Sequence, residues 1–286
     1  MPITDLAAVA RFNPQTTNVY HLFTRSNPSR SQPLQFNNVN LLQQSNYDSS
    51  KRTIVLIHGW MNSATSDFNM ALIPVILAAA DVNVIVVDWS SGANSINYRI
   101  VNWNSVTSGQ AVARFIDWVN DLTGSNPGQY HIIGHGVGGH QAGVVGRNVR
   151  GQINYVTGLD PALIGWVNNI DRFAPNDALY TEVIHTNYGV NGYLADLAQV
   201  DFYPNGGISM PGCNSNECDH ARSFFYFAES ITSGGFTGTE CLNYYAAVLR
   251  LCDFSGRLQM GGLTPKVGQT GVYYLETNPA RPFSQG

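Results

Sequence analysis

Short apolar runs rich in β-branched residues recur along the chain and alternate with stretches of helical periodicity. Five of these runs are predicted as strands, at residues 53–57, 82–87, 130–133, 153–156 and 182–184. Within most of them the apolar residues are consecutive rather than alternating. This pattern is typical of a parallel sheet that is covered on both faces.

A helical stretch separates the second and third predicted strands. Its apolar residues Val112, Phe115, Ile116, Val119 and Leu122 fall on one helical face. Strands and helices in alternation predict right-handed βαβ units, with ligands bound beyond the carboxyl ends of the strands. Because the chain has no internal repeat, charge block or long linker, we expect one α/β domain over residues 1–286.

Composition excludes several classes of protein. Of the 286 residues 44% are hydrophobic and 12% are charged, and there are 28 Gly and 13 Pro, which indicates a compact, loop-rich globule. A net charge of −4 leaves no basic excess for neutralising phosphates, so nucleic-acid binding is not expected. The longest apolar run, residues 71–80, is too short for a transmembrane helix.

The four cysteines, at positions 213, 218, 241 and 252, allow three pairings. The two short loops, Cys213–Cys218 and Cys241–Cys252, are the favoured disulfides. The alternative is a zinc site formed by Cys213, Cys218, His220 and Cys241, although this spacing is poor for a zinc finger. Disulfides would indicate an oxidising compartment, and therefore a secreted protein.

A glycine-rich turn follows the strand that contains residues 131–133, and it permits two interpretations. Gly134, Gly136 and Gly139 satisfy G-x-G-x-x-G, and Asp160 follows 21 residues after Gly139, as in a dinucleotide-binding fold. Alternatively, the turn is a nucleophile elbow, G-x-S-x-G, in which Gly136 occupies the serine position between Gly134 and Gly138.

Later segments favour the elbow. Asp160 and then His220 follow the turn, which is the order of acid and base in α/β-hydrolases. Upstream, residues 58–60 end an early strand, where an oxyanion-hole loop is expected. The fold class predicted is therefore the α/β-hydrolase fold, a mostly parallel central sheet with helices on both faces. No cofactor is expected.

Taken together, seven motifs resemble those of the pancreatic-lipase family. They are IHGW at 57–60, VDW at 87–89, GHGVGGH at 134–140, GLDPA at 158–162, VIHT at 183–186, CDHARS at 218–223 and GVYYLETN at 271–278. The likeness covers nearly the whole chain and stops at the catalytic domain. Within the family, the chain looks most similar to insect neutral lipases, wasp-venom phospholipases A1 and yolk proteins.

The resemblance assigns roles to five positions. Asp160 matches the acid of the catalytic triad, His220 matches its base, and Gly136 stands at the nucleophile position. The backbone N–H groups of Trp60 and Val137 match the oxyanion hole. Because glycine has no side-chain oxygen, no acyl-enzyme can form there, and normal lipase turnover is expected to be absent.

The resemblance also identifies a lid, which in this chain is very short. It consists of Cys213, Asn214, Ser215, Asn216, Glu217 and Cys218. Four polar residues between two cysteines cannot form an amphipathic cover, so we expect a permanently open cleft, as in phospholipase A1 and non-lipolytic members.

The family's calcium-binding loop is matched only in part. Arg172, Pro175 and Asp177 fit, whereas Asn169 and Ala174 stand where acidic ligands are expected. The loss of two carboxylates weakens a site for a hard cation, so no bound calcium or other metal is predicted.

The sequence thus predicts a secreted, catalytically inactive homologue of lipases and phospholipases A1, similar to the yolk proteins of the family, that binds an acyl lipid or another apolar molecule. The alternative is an active lipase or phospholipase A1 whose serine was deliberately replaced by glycine.

Overall fold

The computed structural model describes residue 7 and residues 9–286. Within this part of the chain, eleven strands form one sheet. The strands are β1 Val19–Phe23, β2 Gln32–Leu34, β3 Thr53–Ile57, β4 Asn83–Asp88, β5 Tyr130–His135, β6 Tyr155–Leu159, β7 Tyr180–Ile184, β8 Val200–Pro204, β9 Thr237–Cys241, β10 Arg257–Gln259 and β11 Gly271–Leu275. Their order across the sheet is β10-β9-β11-β8-β7-β6-β5-β3-β4-β1-β2.

The centre of the sheet is parallel, from β4 through β3, β5, β6, β7 and β8 to β11. The outer strands β1, β2, β9 and β10 pair antiparallel. Because β3 lies between β4 and β5, the order of the strands reverses there. In open α/β sheets such a reversal leaves a crevice at the carboxyl ends of the two strands, where ligands bind.

Helices cover both faces of this sheet. The helices are α1 Pro14–Thr17, α2 Val39–Gln43, α3 Asp67–Ala79, α4 Ser90–Ala93, α5 Tyr98–Thr123, α6 Val137–Asn148, α7 Asn216–Thr232 and α8 Tyr244–Val248, with a 3₁₀ turn at Pro127–Gln129. Alternate residues of β3 enter opposite cores, because successive strand side chains point to opposite faces. Val55 and Ile57 belong to the core beneath α5 and α6, whereas Ile54 and Leu56 belong to the core beneath α3 and α7.

The five predicted strands are all present, although the bounds of some differ. The strand predicted at 153–156 is β6, Tyr155–Leu159, which continues through Gly158 because that residue pairs with both neighbouring strands. The helix predicted around residues 112–122 is the second half of α5. Its first turn is capped by Asn97, whose side chain accepts from the N–H of Arg99 at 3.0 Å.

Both predicted disulfides are present, Cys213–Cys218 and Cys241–Cys252. The zinc interpretation is therefore wrong, because the thiols that would bind the metal are joined to one another. Among the helices described, none combines the length and apolar content needed to cross a bilayer.

Candidate active site

The turn between β5 and α6 has the geometry of a nucleophile elbow. Gly136 adopts φ 59° and ψ −124°, a conformation that residues with a side chain adopt only under strain. A Cβ atom on Gly134 would overlap the carbonyl group of Gly138, and one on Gly138 would lie 2.5 Å from the carbonyl oxygen of Ile57. A Cβ on Gly139 would meet nothing closer than 3.3 Å. The turn thus requires glycine in the elbow pattern, and the dinucleotide interpretation does not fit.

Asp160 lies directly after β6 and is fully buried. Its Oδ2 accepts a hydrogen bond from Nδ1 of His220 at 2.6 Å. Its Oδ1 accepts from the backbone N–H groups of Thr186 at 2.8 Å and Asn187 at 3.1 Å, which follow β7. With both oxygens engaged, the carboxylate has one fixed orientation and holds the imidazole of His220 in place.

His220 lies near the start of α7, and its side chain is 21% exposed. Because Nδ1 donates to Asp160, Nε2 carries the lone pair. A Cβ atom on Gly136 would lie 3.0 Å from this Nε2. The structure therefore brings the three predicted positions together in the arrangement of a triad without a nucleophile side chain.

The ring of His135 packs against the imidazole of His220, with 4.2 Å between ring centroids. Its Nε2 lies 3.2 Å from the carbonyl oxygen of His220 and carries the proton, because a carbonyl can only accept. Burial and the neighbouring His220 hold the pKa of His135 well below its usual value. A neutral ring therefore packs against His220 and adds no competing charge.

The two predicted oxyanion donors flank this turn. Val137 is the first residue of α6, so its N–H has no partner within the helix. Trp60 follows β3, and its indole Nε1 donates to the carbonyl of Ser95 at 2.8 Å. Neither backbone N–H donates to another group in the described chain. Their assignment as oxyanion donors stays a prediction.

His58 connects the ends of β3 and β4. Its Nε2 accepts from the backbone N–H of Trp89 at 3.2 Å, and its carbonyl accepts from the indole N–H of the same residue at 2.9 Å. His58 thus holds the loop that carries Trp60, and its own ring is fully buried.

A cleft of about 350 Å³ opens beside Gly136 and His220. Its walls are mainly apolar and include Trp60, Ile96, Tyr98, Val137, Ala162 and Ile164, with Asn191 and Glu217 among its polar residues. Ile96 is 92% exposed and Ile164 is 59% exposed. Apolar side chains this open to water on a cleft wall indicate a surface that an apolar ligand can cover.

The segment predicted as a lid leads into the start of α7, and of its six residues Glu217 lines the cleft. Cys213 and Cys218 are bonded at the start of α7, and Ser215 caps this helix by accepting from the N–H of Cys218 at 3.2 Å. Asn216 and Glu217 form the first turn of the helix that carries His220.

The loop that resembles a calcium-binding loop is held by an arginine. The guanidinium of Arg147 donates to both oxygens of Asp177, at 2.8 Å each, and to the carbonyl of Arg172 at 2.6 Å. Ala174 donates its N–H to Asp177 and offers no side-chain oxygen. These residues do not fit a calcium ion, because the guanidinium of Arg147 already binds the oxygen atoms that could serve as ligands.

Three buried histidines lower the stability expected in mild acid. Burial lowers the pKa of His140 to about 3 and holds the pKa values of His131 and His135 well below 6.5. The unfolded chain therefore takes up protons below pH 6.5 that the folded chain does not. We expect the free energy of unfolding to decrease as the pH falls below 6.5, because unfolding then takes up protons; each full proton taken up corresponds to a slope of about 1.4 kcal/mol per pH unit. Urea unfolding between pH 7.5 and 5 measures this, and constant stability over the range would contradict it. His140→Gln should make the free energy of unfolding depend less steeply on pH, because one proton fewer is taken up on unfolding.

An elbow, an acid and a base, met in this order at the carboxyl edge of a parallel sheet, define an α/β-hydrolase scaffold. The chain belongs to the pancreatic-lipase family: the family model described as Lipase matches residues 4–283. The family resemblance is thus confirmed.

Pancreatic lipases are among the relatives. The pancreatic triacylglycerol lipase of Homo sapiens is 30% identical over an alignment that covers 96% of this chain and 66% of that protein. The enzyme of Oryctolagus cuniculus is 32% identical over 92% of this chain and 64% of its own length. Pancreatic lipase-related protein 2 of Sus scrofa is 30% identical, with the same coverage. The chain spans about two thirds of the length of these relatives.

Solved α/β-hydrolase structures match in part. MGS-M1, an alpha/beta hydrolase from a Medee basin deep-sea metagenome, is 20% identical with a TM-score of 0.36, covering 52% of this chain and 62% of that one. A predicted CIB-like hydrolase from Thermoplasma acidophilum is 21% identical with a TM-score of 0.35, covering 51% and 67%.

Sequence reasoning missed several residues of this site. Thr186 and Asn187 act through backbone N–H groups, which no side-chain pattern reveals. Ile96 and Ile164 belong to loops, and nothing but their apolar character outside the predicted elements could have identified them.

Proposed function

We propose that this chain is a secreted member of the lipase family that binds an acyl lipid, or another apolar molecule, without forming an acyl-enzyme. The observation that carries this proposal is an open apolar cleft beside the Asp160–His220 pair, which has no nucleophile side chain to deprotonate. Two disulfides suit an oxidising compartment, which supports secretion.

The short segment 213–218 supports a ligand site that needs no lipid surface to open it. Because its residues form a helix cap rather than a cover, Glu217 and His220 line a cleft that solvent can enter. Among the subtypes, this favours the phospholipase A1-like and yolk-protein-like members over lipases with a long cover.

The second candidate is an active lipase or phospholipase A1 whose serine was replaced by glycine on purpose. The intact geometry favours it, since Asp160 and His220 keep a 2.6 Å hydrogen bond and Gly136 keeps the elbow conformation. Reading codon 136 of the natural gene separates the two candidates: serine there supports replacement, and glycine supports a natural non-covalent function.

Displacement of a fluorescent fatty acid tests ligand binding. We expect saturable binding, and we expect Ile164→Asp to weaken it about tenfold or more, because burial of an isoleucine side chain contributes about 1.5–3 kcal/mol. Ile170→Asp is the matched control, since Ile170 is 89% exposed and is not part of the cleft wall. Absence of saturable binding by a folded protein would contradict the proposal, as would equal effects of the two variants.

A further inference from the structure

We propose that the Asp160–His220 pair activates a water molecule beside Gly136 and hydrolyses small esters directly, without a covalent intermediate. This inference rests on the proposed function only in using the same cleft to hold the ester. It differs from lipase chemistry because the nucleophile is water rather than a side chain.

The base is complete without a serine. Asp160 accepts the Nδ1 proton of His220 at 2.6 Å and is itself fixed by two backbone N–H groups, so the lone pair of Nε2 has a defined direction. That direction is toward position 136, where a Cβ would lie 3.0 Å away. Because Gly136 has no side chain, a water molecule can approach Nε2 at hydrogen-bond distance from the side where a serine hydroxyl would stand.

The charges around His220 suit the imidazolium that forms during the reaction. The ionised carboxylate of Asp160 stabilises an imidazolium, and the packed ring of His135 is neutral because burial lowers its pKa. Glu217, another residue of the cleft, carries negative charge. No cationic side chain belongs to the cleft within the described residues.

The step balances with water as the second reactant. Nε2 of His220 takes one proton from water as the oxygen forms a bond to the ester carbonyl carbon, and the N–H groups of Trp60 and Val137 stabilise the resulting oxyanion. The carbonyl re-forms as the bond to the alkoxy oxygen breaks. The leaving alkoxide takes the proton from His220, so an alcohol and a carboxylic acid are released and the imidazole is neutral again.

Hydrolysis of p-nitrophenyl butyrate by the full chain tests the proposal. We expect steady-state turnover without an initial burst, and without inhibition by an organophosphonate that reacts with serine nucleophiles. His220→Ala should lower kcat/KM by about 10²–10⁴-fold, the range for a general base. Gly136→Ala should lower it comparably, because its methyl group would stand 3.0 Å from Nε2 and exclude the water. Thermal unfolding and fatty-acid displacement verify that both variants are folded.

The outcomes separate the two proposals. Equal rates for the unmodified chain and folded His220→Ala would overturn water activation, and so would complete inhibition by the organophosphonate. Saturable fatty-acid binding with no hydrolysis would overturn water activation alone. Histidine-dependent hydrolysis with no fatty-acid binding would overturn the lipid-binding proposal alone.

Discussion

Gly136→Ser is expected to produce a covalent esterase from this chain. The new hydroxyl would stand beside Nε2 of His220, whose Nδ1 is already held by Asp160 at 2.6 Å. The elbow conformation at position 136 is present, with φ 59° and ψ −124°. Because a complete triad exceeds its remnants by orders of magnitude, we expect kcat/KM for p-nitrophenyl butyrate to increase by about 10³-fold or more.

A small movement of His220 must accompany this gain. The added Cβ would lie 3.0 Å from Nε2, so the imidazole has to shift by a few tenths of an ångström. Its partial exposure, 21% of the side chain, permits this shift. Adding His220→Ala to the serine variant should abolish the gain, and the serine variant should become sensitive to an organophosphonate. A folded serine variant without added activity on several esters would indicate that the site has diverged beyond residue 136.

Gly134→Ala is expected to destabilise the fold by more than about 4 kcal/mol. Its Cβ would overlap the carbonyl group of Gly138, where β5 turns into α6, and two backbone segments cannot separate without moving the sheet or the helix. A loss of this size is exceptional for a single substitution and reflects steric strain in a packed interior. Chemical denaturation measures it, and lack of soluble protein would agree with it.

Gly139→Ala is the matched control in the same turn. Its Cβ would meet Pro161 at 3.3 Å and the carbonyl of Gly134 at 3.4 Å, which is close but not an overlap. Alanine also favours the helix by about 1 kcal/mol over glycine, so the net change should stay within about 1 kcal/mol. Similar losses at positions 134 and 139 would contradict the elbow geometry.

The central part of the fold was predictable because its strands are continuous apolar runs. Two other strands of the parallel part, β8 and β11, were not predicted. β8 contains Asp201 and ends at Pro204, and β11 begins at Gly271, so neither resembles a buried strand in isolation. Asp201 is acceptable there because its carboxylate accepts from Nε2 of His185 and from the backbone N–H groups of Leu197 and Ala198. These hydrogen bonds come from residues outside the strand, so the sequence pattern of the strand alone does not reveal them.

The candidate site was predictable in its residue types and chain order, but not in its contacts. Position 136 and the acid and base could be proposed because each follows a recognisable strand or motif. The engagement of Asp177 by Arg147 could not, since 30 residues separate the two and their meeting depends on how α6 packs. The conformation of Gly136 likewise became known only from the backbone.

The disulfide at the start of α7 fixes the two ends of the segment predicted as a lid, so its length can change without moving the helix. It holds the Cα atoms of Cys213 and Cys218 at 5.5 Å, whatever chain lies between them. Doubling the length of a flexible loop costs only about 0.6 kcal/mol in closure entropy. Residues inserted ahead of the capping Ser215 would therefore lengthen a segment whose Glu217 lines the cleft, while the helix bearing His220 stays anchored. Segments of different length at this position can therefore change access to the cleft while the residues of the candidate active site stay the same.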